Sequence, residues 1–119
     1  MGSVEVFENK RRVFLDRNNF EDLLPREEAV YVIFSKFARD SESEVSLNCL
    51  YVGETEDLRE SFKTHFSEQE QNIYLKHFMK SCKSILVIYD PMPGSTEESR
   101  SRLCRVLNKR YEPMCNAPE

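Results

Sequence analysis

An α+β domain, built as a small central β-sheet covered by helices, is the fold class this chain predicts. Two observations point to it. Three apolar runs rich in β-branched and aromatic residues, Ala29 to Phe34, Ser46 to Val52 and Ser84 to Tyr89, have the length and composition of strands. Between the second and third runs, and again after the third, apolar residues recur at helical spacing, so the order is strand, strand, helix, helix, strand, helix. About three strands are expected, and the N-terminal segment reads as a further short strand or as an arm on the sheet edge.

That N-terminal segment, Ser3 to Arg17, mixes apolar Val4, Phe7, Val13 and Leu15 with basic Lys10, Arg11 and Arg12. Asn18 and Asn19 then suit the cap of a short helix, Phe20 to Leu24, which Pro25 closes. The run AVYVIF that follows suits a strand buried on both faces. Residues 37 to 46 are polar and acidic, with Asp40, Glu42 and Glu44 alternating with Ser41 and Ser43, and read as a solvated hairpin loop. Antiparallel pairing of the first two strands is the cheapest arrangement at that separation.

Gly53 is expected to end the second strand and Thr55 to cap the next helix, whose stripe is Leu58, Phe62, His65 and Phe66. Ser67 and Glu70 have the spacing of a capping box for a second helix with the stripe Leu75, Phe78, Met79 and Cys82. His77 lies off that stripe, on the surface. Ser84 to Tyr89 is the most hydrophobic run and belongs deep in the sheet. Two prolines and a glycine make Asp90 to Gly94 a turn. Ser95 and Glu98 form another capping box, and the last helix runs to about Tyr111 with Leu103, Val106, Leu107 and Arg110 or Tyr111 inward, until Pro113 stops it.

The length of 119 residues suits a single core. Residues 1 to 28 form the arm and short helix, and residues 29 to 116 the main domain. A net charge of −4 gives no global basic field that would draw the chain to nucleic acid. No apolar run reaches the roughly 20 residues that span a bilayer, and the N-terminus lacks the apolar core of a signal peptide. A soluble protein without membrane contact, intracellular and either nuclear or cytoplasmic, is expected. Cys49, Cys82, Cys104 and Cys115 contain no CxxC pair, which argues against zinc and suits a reducing compartment.

Tyr31 in the first strand, Tyr51, Val52 and Gly53 at the end of the second, His65 on the following helix, and Pro113 and Asn116 after the last helix together resemble the GIY-YIG nuclease family. The resemblance covers roughly residues 29 to 116. Where the family's first motif has Gly-Ile-Tyr this chain has Ala29, Val30 and Tyr31, and the two tyrosine motifs are farther apart than usual. The resemblance implies a phosphodiesterase site in which tyrosines and a histidine activate water. It also implies an arginine on the first helix to stabilise the phosphate, and a glutamate on the last helix to hold magnesium or manganese. Hydrolysis of a phosphodiester needs both charges.

Both charges are replaced here. Ten residues past Tyr51 stands Ser61 instead of the arginine, and twelve before Asn116 stands Cys104 instead of the glutamate. A neutral thiol is a poor magnesium ligand. Arg59 lies roughly 160° to 200° around the helix from Ser61, and Glu97 lies about 10 Å along the axis from Cys104, so neither substitutes. Glu54, Glu56, Asp57 and Glu60 crowd the helix start, where they repel phosphate and also favour the helix dipole.

The favoured expectation is a catalytically inactive, degenerate site (Tyr31, Tyr51, Gly53, Ser61, His65 and Cys104) in a protein-interaction or scaffold module that needs no metal. Another protein or a second copy is the expected partner, with Phe37, Met92 and Met114 as candidate exposed apolar residues. A divergent metal-dependent endonuclease acting on DNA is one alternative. Nucleic-acid binding through Arg102, Arg105 and Lys109 on the outer face of the last helix, near Arg100 and Arg110, is a second, set against a plain solvated basic face. Cys104 as a nucleophile is a distant fourth, because no base is predicted beside it.

Overall fold

The computed structural model describes residues 11–38, 45–82 and 84–116. Along them run β1 (Arg11–Leu15), α1 (Phe20–Leu23), β2 (Ala29–Ala38), β3 (Val45–Thr55), α2 (Leu58–His65), α3 (Ile73–Ser81), β4 (Ile85–Pro91) and α4 (Glu97–Tyr111). The strands form one antiparallel sheet in the order β1-β4-β2-β3. The expected α+β architecture is therefore present, with β1 as its fourth strand.

Alternation along the central strands builds two cores. Tyr31, Ile33, Val87 and Tyr89 point to one face, which α2 and α3 cover with Leu58, Phe62, Leu75 and Met79. Val30, Val32, Leu86 and Ile88 point to the other face, which packs against Leu107 of α4. Burial on both sides explains why β2 and β4 read as continuous apolar runs rather than alternating ones. Phe62 alone, fully buried, is worth about 1.5–3 kcal/mol of hydrophobic stabilisation.

A register shift between Ile33 and Phe34 leaves Leu50 as an extra residue in β3. Leu50 and the neighbouring Tyr51 then both pack with the first core. The bulge is what aims Tyr51 at the helices.

Both sheet edges are defined. β1 lies outside β4, and the chain after α4 returns along β3: Met114 N–H donates to the Cys49 carbonyl at 3.1 Å and Cys115 N–H to the Leu50 carbonyl at 2.8 Å. The Asn116 side chain completes that edge, accepting from Val52 N–H at 2.9 Å and donating to the Val52 carbonyl at 3.0 Å. One amide thus imitates a strand residue.

Several local expectations are corrected. The second strand does not stop at Gly53, since Gly53 pairs with Tyr31 and β3 continues to Thr55. Asp57, not Thr55, caps α2, accepting from Glu60 N–H, while the Thr55 hydroxyl receives Asp57 N–H. Asn72, not Ser67, caps α3, accepting from Leu75 N–H. Thr96, not Ser95, caps α4, accepting from Ser99 N–H. β4 extends into the expected turn as far as Pro91. Val106 is exposed rather than inward. The hairpin strands reach Ala38 and start again at Val45, so the acidic loop expected at 37 to 46 shortens, and most of it lies outside the described residues.

Candidate functional site

Tyr31 sits in mid-β2 and is 3% exposed, so its hydroxyl must find a partner inside the protein. His65, the last residue of α2, supplies it. The Tyr31 Oη and His65 Nε2 atoms are 2.7 Å apart, and His65 Nδ1 contacts Glu70 Oε1. A carboxylate at Nδ1 selects the Nδ1–H tautomer, so Nε2 accepts and the tyrosine donates. Glu70 is anchored in turn by Asn72 N–H at 2.9 Å on its second oxygen, and Asn72 Nδ2 donates to the Cys115 carbonyl at 2.7 Å. A single chain of hydrogen bonds therefore joins β2, α2, the start of α3 and the C-terminal segment.

Tyr51 leans on this chain. Its ring centroid is 5.5 Å from His65 and 6.1 Å from Tyr31. Gly53 makes the approach possible, because a Cβ there would lie 2.7 Å from both the Tyr31 hydroxyl and Tyr51 Cε2. No side chain fits at that position without moving a tyrosine.

Burial pushes the Tyr31 phenol well above its ordinary range, with Tyr51 and Glu70 adding to the rise. Tyr51 is raised as well, first by burial and then by Glu70, Cys104 and Glu54. Both tyrosines are held as neutral phenols. The hydrogen bond from His65 holds the Glu70 carboxyl below its ordinary value.

The two positions where charge was expected have other occupants. The Ser61 hydroxyl donates to Thr55 Oγ1 at 2.6 Å and so ties α2 to the end of β3. Cys104 is half-buried beside the second core, and burial pushes its thiol up to about 12, which leaves it a neutral thiol. Glu97 is exposed. Arg59 donates to the Leu24 carbonyl at 2.9 Å, away from the tyrosines.

Two residues are corrected outright. Glu70 is no cap, because its carboxylate is the partner of His65. Arg100 is no part of a basic surface: at 2% exposure it is the largest fully buried side chain in the molecule's described part. Its Nε donates to Glu54 Oε2 at 2.8 Å, and its Nη1 donates to Glu28 Oε2 at 2.9 Å, with further bonds from Nη1 to the Ser95 carbonyl and hydroxyl. Of the acids expected to crowd the helix start, Glu54 is therefore neutralised by Arg100 and Asp57 pairs with Arg26 at 3.1 Å, while Glu56 and Glu60 face solvent. A polar partner distant in sequence was the missing signal for Arg100. For Glu70 the signal was its place just past the end of the helix that carries His65.

Arg102, Arg105 and Lys109 do lie together on the exposed face of α4, with Arg102 paired to Glu98 at 2.8 Å. Met114 is exposed, whereas Met92 packs against the second core and Phe37 lies where its side chain is not described. No helix among the described residues is long and apolar enough to cross a membrane.

A four-stranded antiparallel sheet with a tyrosine pair, a histidine and a close-packed glycine defines an α+β domain of nuclease-like architecture. Two solved structures share it. Both are tyrosine-to-phenylalanine mutants of the GIY-YIG N-terminal endonuclease domain of UvrC from Thermotoga maritima, bound to the catalytic divalent cation. One has a TM-score of 0.57 at 15% identity and the other 0.54 at 16%, and each match covers 87% of this chain and 100% of the other. The chain has the GIY-YIG fold, in strongly divergent sequence. No family model matches it, and neither does any curated protein.

The residues present do not fit the divalent cation that this fold implies. Cys104 offers a neutral thiol, Glu54 is already bonded to a guanidinium, and no group of three or more His, Cys, Asp or Glu converges to hold a metal among the described residues. The geometry holds a tyrosine, a histidine and a glutamate in register.

Proposed function

We propose that this GIY-YIG fold is a catalytically inactive domain that serves as a protein-interaction or scaffold module. The observation that carries the reading is the fate of Arg26, Arg59 and Arg100. Arg100 is enclosed by Glu28 and Glu54, Arg59 is turned to a backbone carbonyl, and Arg26 is paired with Asp57. Phosphoryl transfer needs preorganised positive charge at the reacting oxygens, and here these three guanidinium groups are already held by partners within the chain. The raised tyrosines support the same reading, because a neutral phenol is a weak base. What remains of the site is a rigid bracket that fixes α2, α3 and the C-terminal segment on the sheet.

A protein partner suits the exposed apolar residues near that bracket: Ile73 and Tyr74 are 77% and 71% exposed at the start of α3, directly after Asn72, which binds the segment carrying Met114. A second copy of the chain is an equivalent occupant. The basic face of α4 supports a separate reading, non-catalytic contact with nucleic acid, which predicts binding that weakens steeply with salt and is lost when Arg105 and Lys109 are reversed in charge.

The deciding experiment is cleavage of duplex and branched DNA in magnesium or manganese, with the protein compared against Tyr51→Phe. No cleavage by either folded protein is expected. Metal-dependent nicking that the substitution abolishes would overturn the module reading and establish an endonuclease.

A further inference from the structure

The two edges of the sheet are finished differently. Along β3 the C-terminal segment of the chain supplies the missing partner, through Met114 and Cys115 N–H and the Asn116 amide. β1 is the opposite edge, and among the described residues no strand lies beyond it. In an antiparallel edge strand alternate residues turn their N–H and C=O groups outward, so β1 offers backbone donors and acceptors to an added strand. Its sequence, RRVFL, sets what that strand can be. Arg11 and Arg12 are exposed, and neither has an ion-pair partner among the described residues. Arg11 stands opposite Tyr89 and Arg12 opposite Ile88, so one guanidinium projects on each face of the sheet. Leu15 is fully buried in the first core and Val13 packs against it, which holds the strand in place.

We propose that β1 is a docking edge that takes an extended acidic segment of a partner protein as an added strand of the sheet. The inference rests on the module reading and deepens it by naming the partner's chemistry. Cross-strand pairing fixes that chemistry: an antiparallel segment places two carboxylates opposite Arg12 and Arg11, preceded by two apolar residues opposite Phe14 and Val13. Phe14, on the same face as Arg12, is 53% exposed. Backbone hydrogen bonds supply the affinity and the two arginines the choice of partner. A second copy of β1 is the poorer occupant, since self-pairing gathers the arginines of both copies on one short edge, where like charges repel. Nucleic acid is poorer too, since it has no peptide backbone to match the outward N–H and C=O groups, and a net charge of −4 opposes its approach.

The test is an amide NMR titration of the full chain with the capped peptide Thr-Val-Val-Glu-Glu-Thr. Saturable shifts centred on the amides of Arg11 to Leu15, with slowed hydrogen exchange there, are expected. The double variant Arg11→Glu, Arg12→Glu alters only exposed side chains and should bind at least about tenfold more weakly. A peptide with Lys-Lys in place of Glu-Glu should recover the binding that the double variant loses. Methylation of the peptide's backbone nitrogens should abolish binding to the wild type. No saturation by millimolar peptide, shifts centred elsewhere, or equal binding by the methylated peptide would overturn the proposal. So would a wild type that self-associates through these amides, or an oligonucleotide that shifts them at lower concentration than the peptide. Failure of the peptide to bind leaves the module reading to its α3 surface, whereas metal-dependent DNA cleavage would strike that reading without bearing on the titration.

Discussion

The two faces of the sheet solve the same problem by opposite means. Each holds polar side chains between the sheet and the helices that cover it. On the first face Tyr31, His65 and Glu70 are joined by hydrogen bonds that include one largely buried carboxylate. On the second, Arg100 with Glu28 and Glu54 forms an ion cluster whose cation is enclosed and whose acids are partly open. The difference lies in what each arrangement tolerates. A neutral phenol is cheap to desolvate, so the first face depends on fit; a buried guanidinium is costly to desolvate and depends on its partners staying charged.

Removal of Arg100 is expected to give the largest loss. Arg100→Ala leaves Glu28 and Glu54 unpaired beside the core and should lower the unfolding free energy by about 3 kcal/mol in urea titrations. A loss below about 1 kcal/mol would mean that the ion cluster contributes little and that the two faces are alike in depending on packing.

The first face breaks by steric means. Gly53→Ala forces a methyl group to within 2.7 Å of the Tyr31 hydroxyl and of the Tyr51 ring. The expected loss is about 1–3 kcal/mol, the usual range for overpacking, together with a change in the His65 imidazole resonances as its bond to Tyr31 is displaced. Stability and imidazole spectra both unchanged would show that the tyrosines have room to move, contrary to a face that depends on fit.

Much of this contrast could not be read from the chain alone, for physical reasons. The strands were legible because burial on both faces leaves an unbroken apolar run, as in Ile85 to Tyr89, and the helices because Leu58, Phe62 and Phe66 or Leu75 and Met79 keep one stripe. Caps were misplaced by one to five residues, since several side chains near each helix start can serve and the backbone's path decides among them. Tyr31, Tyr51, Gly53 and His65 were legible as a set through a family resemblance. Glu70 was hidden by a capping-box spacing that fits equally well on paper. Arg100 was hidden because its partners lie 46 and 72 residues away, and a helix bearing several arginines looks basic all round.

The finest distinction between the faces concerns pH. The Glu70 carboxyl is held below its ordinary value, first by the hydrogen bond from His65. A carboxyl depressed in the folded state adds stability that is fully present above its unfolded value, about 4.3, and is lost as pH falls through the lower folded value. Glu70→Gln cannot titrate, so it should be less stable than the wild type at pH 6, and the gap should close as pH is lowered from about 5 towards 3. Urea titrations of both proteins across that range check it. The gap is expected to be small, because the His65 ring is already fixed by Tyr31. A gap that stays constant down to pH 3 would mean that Glu70 contributes only through shape and hydrogen bonding that glutamine reproduces equally at every pH. The first face would then carry no charge dependence at all, and the ionic character of the molecule would reside wholly in the Arg100 cluster.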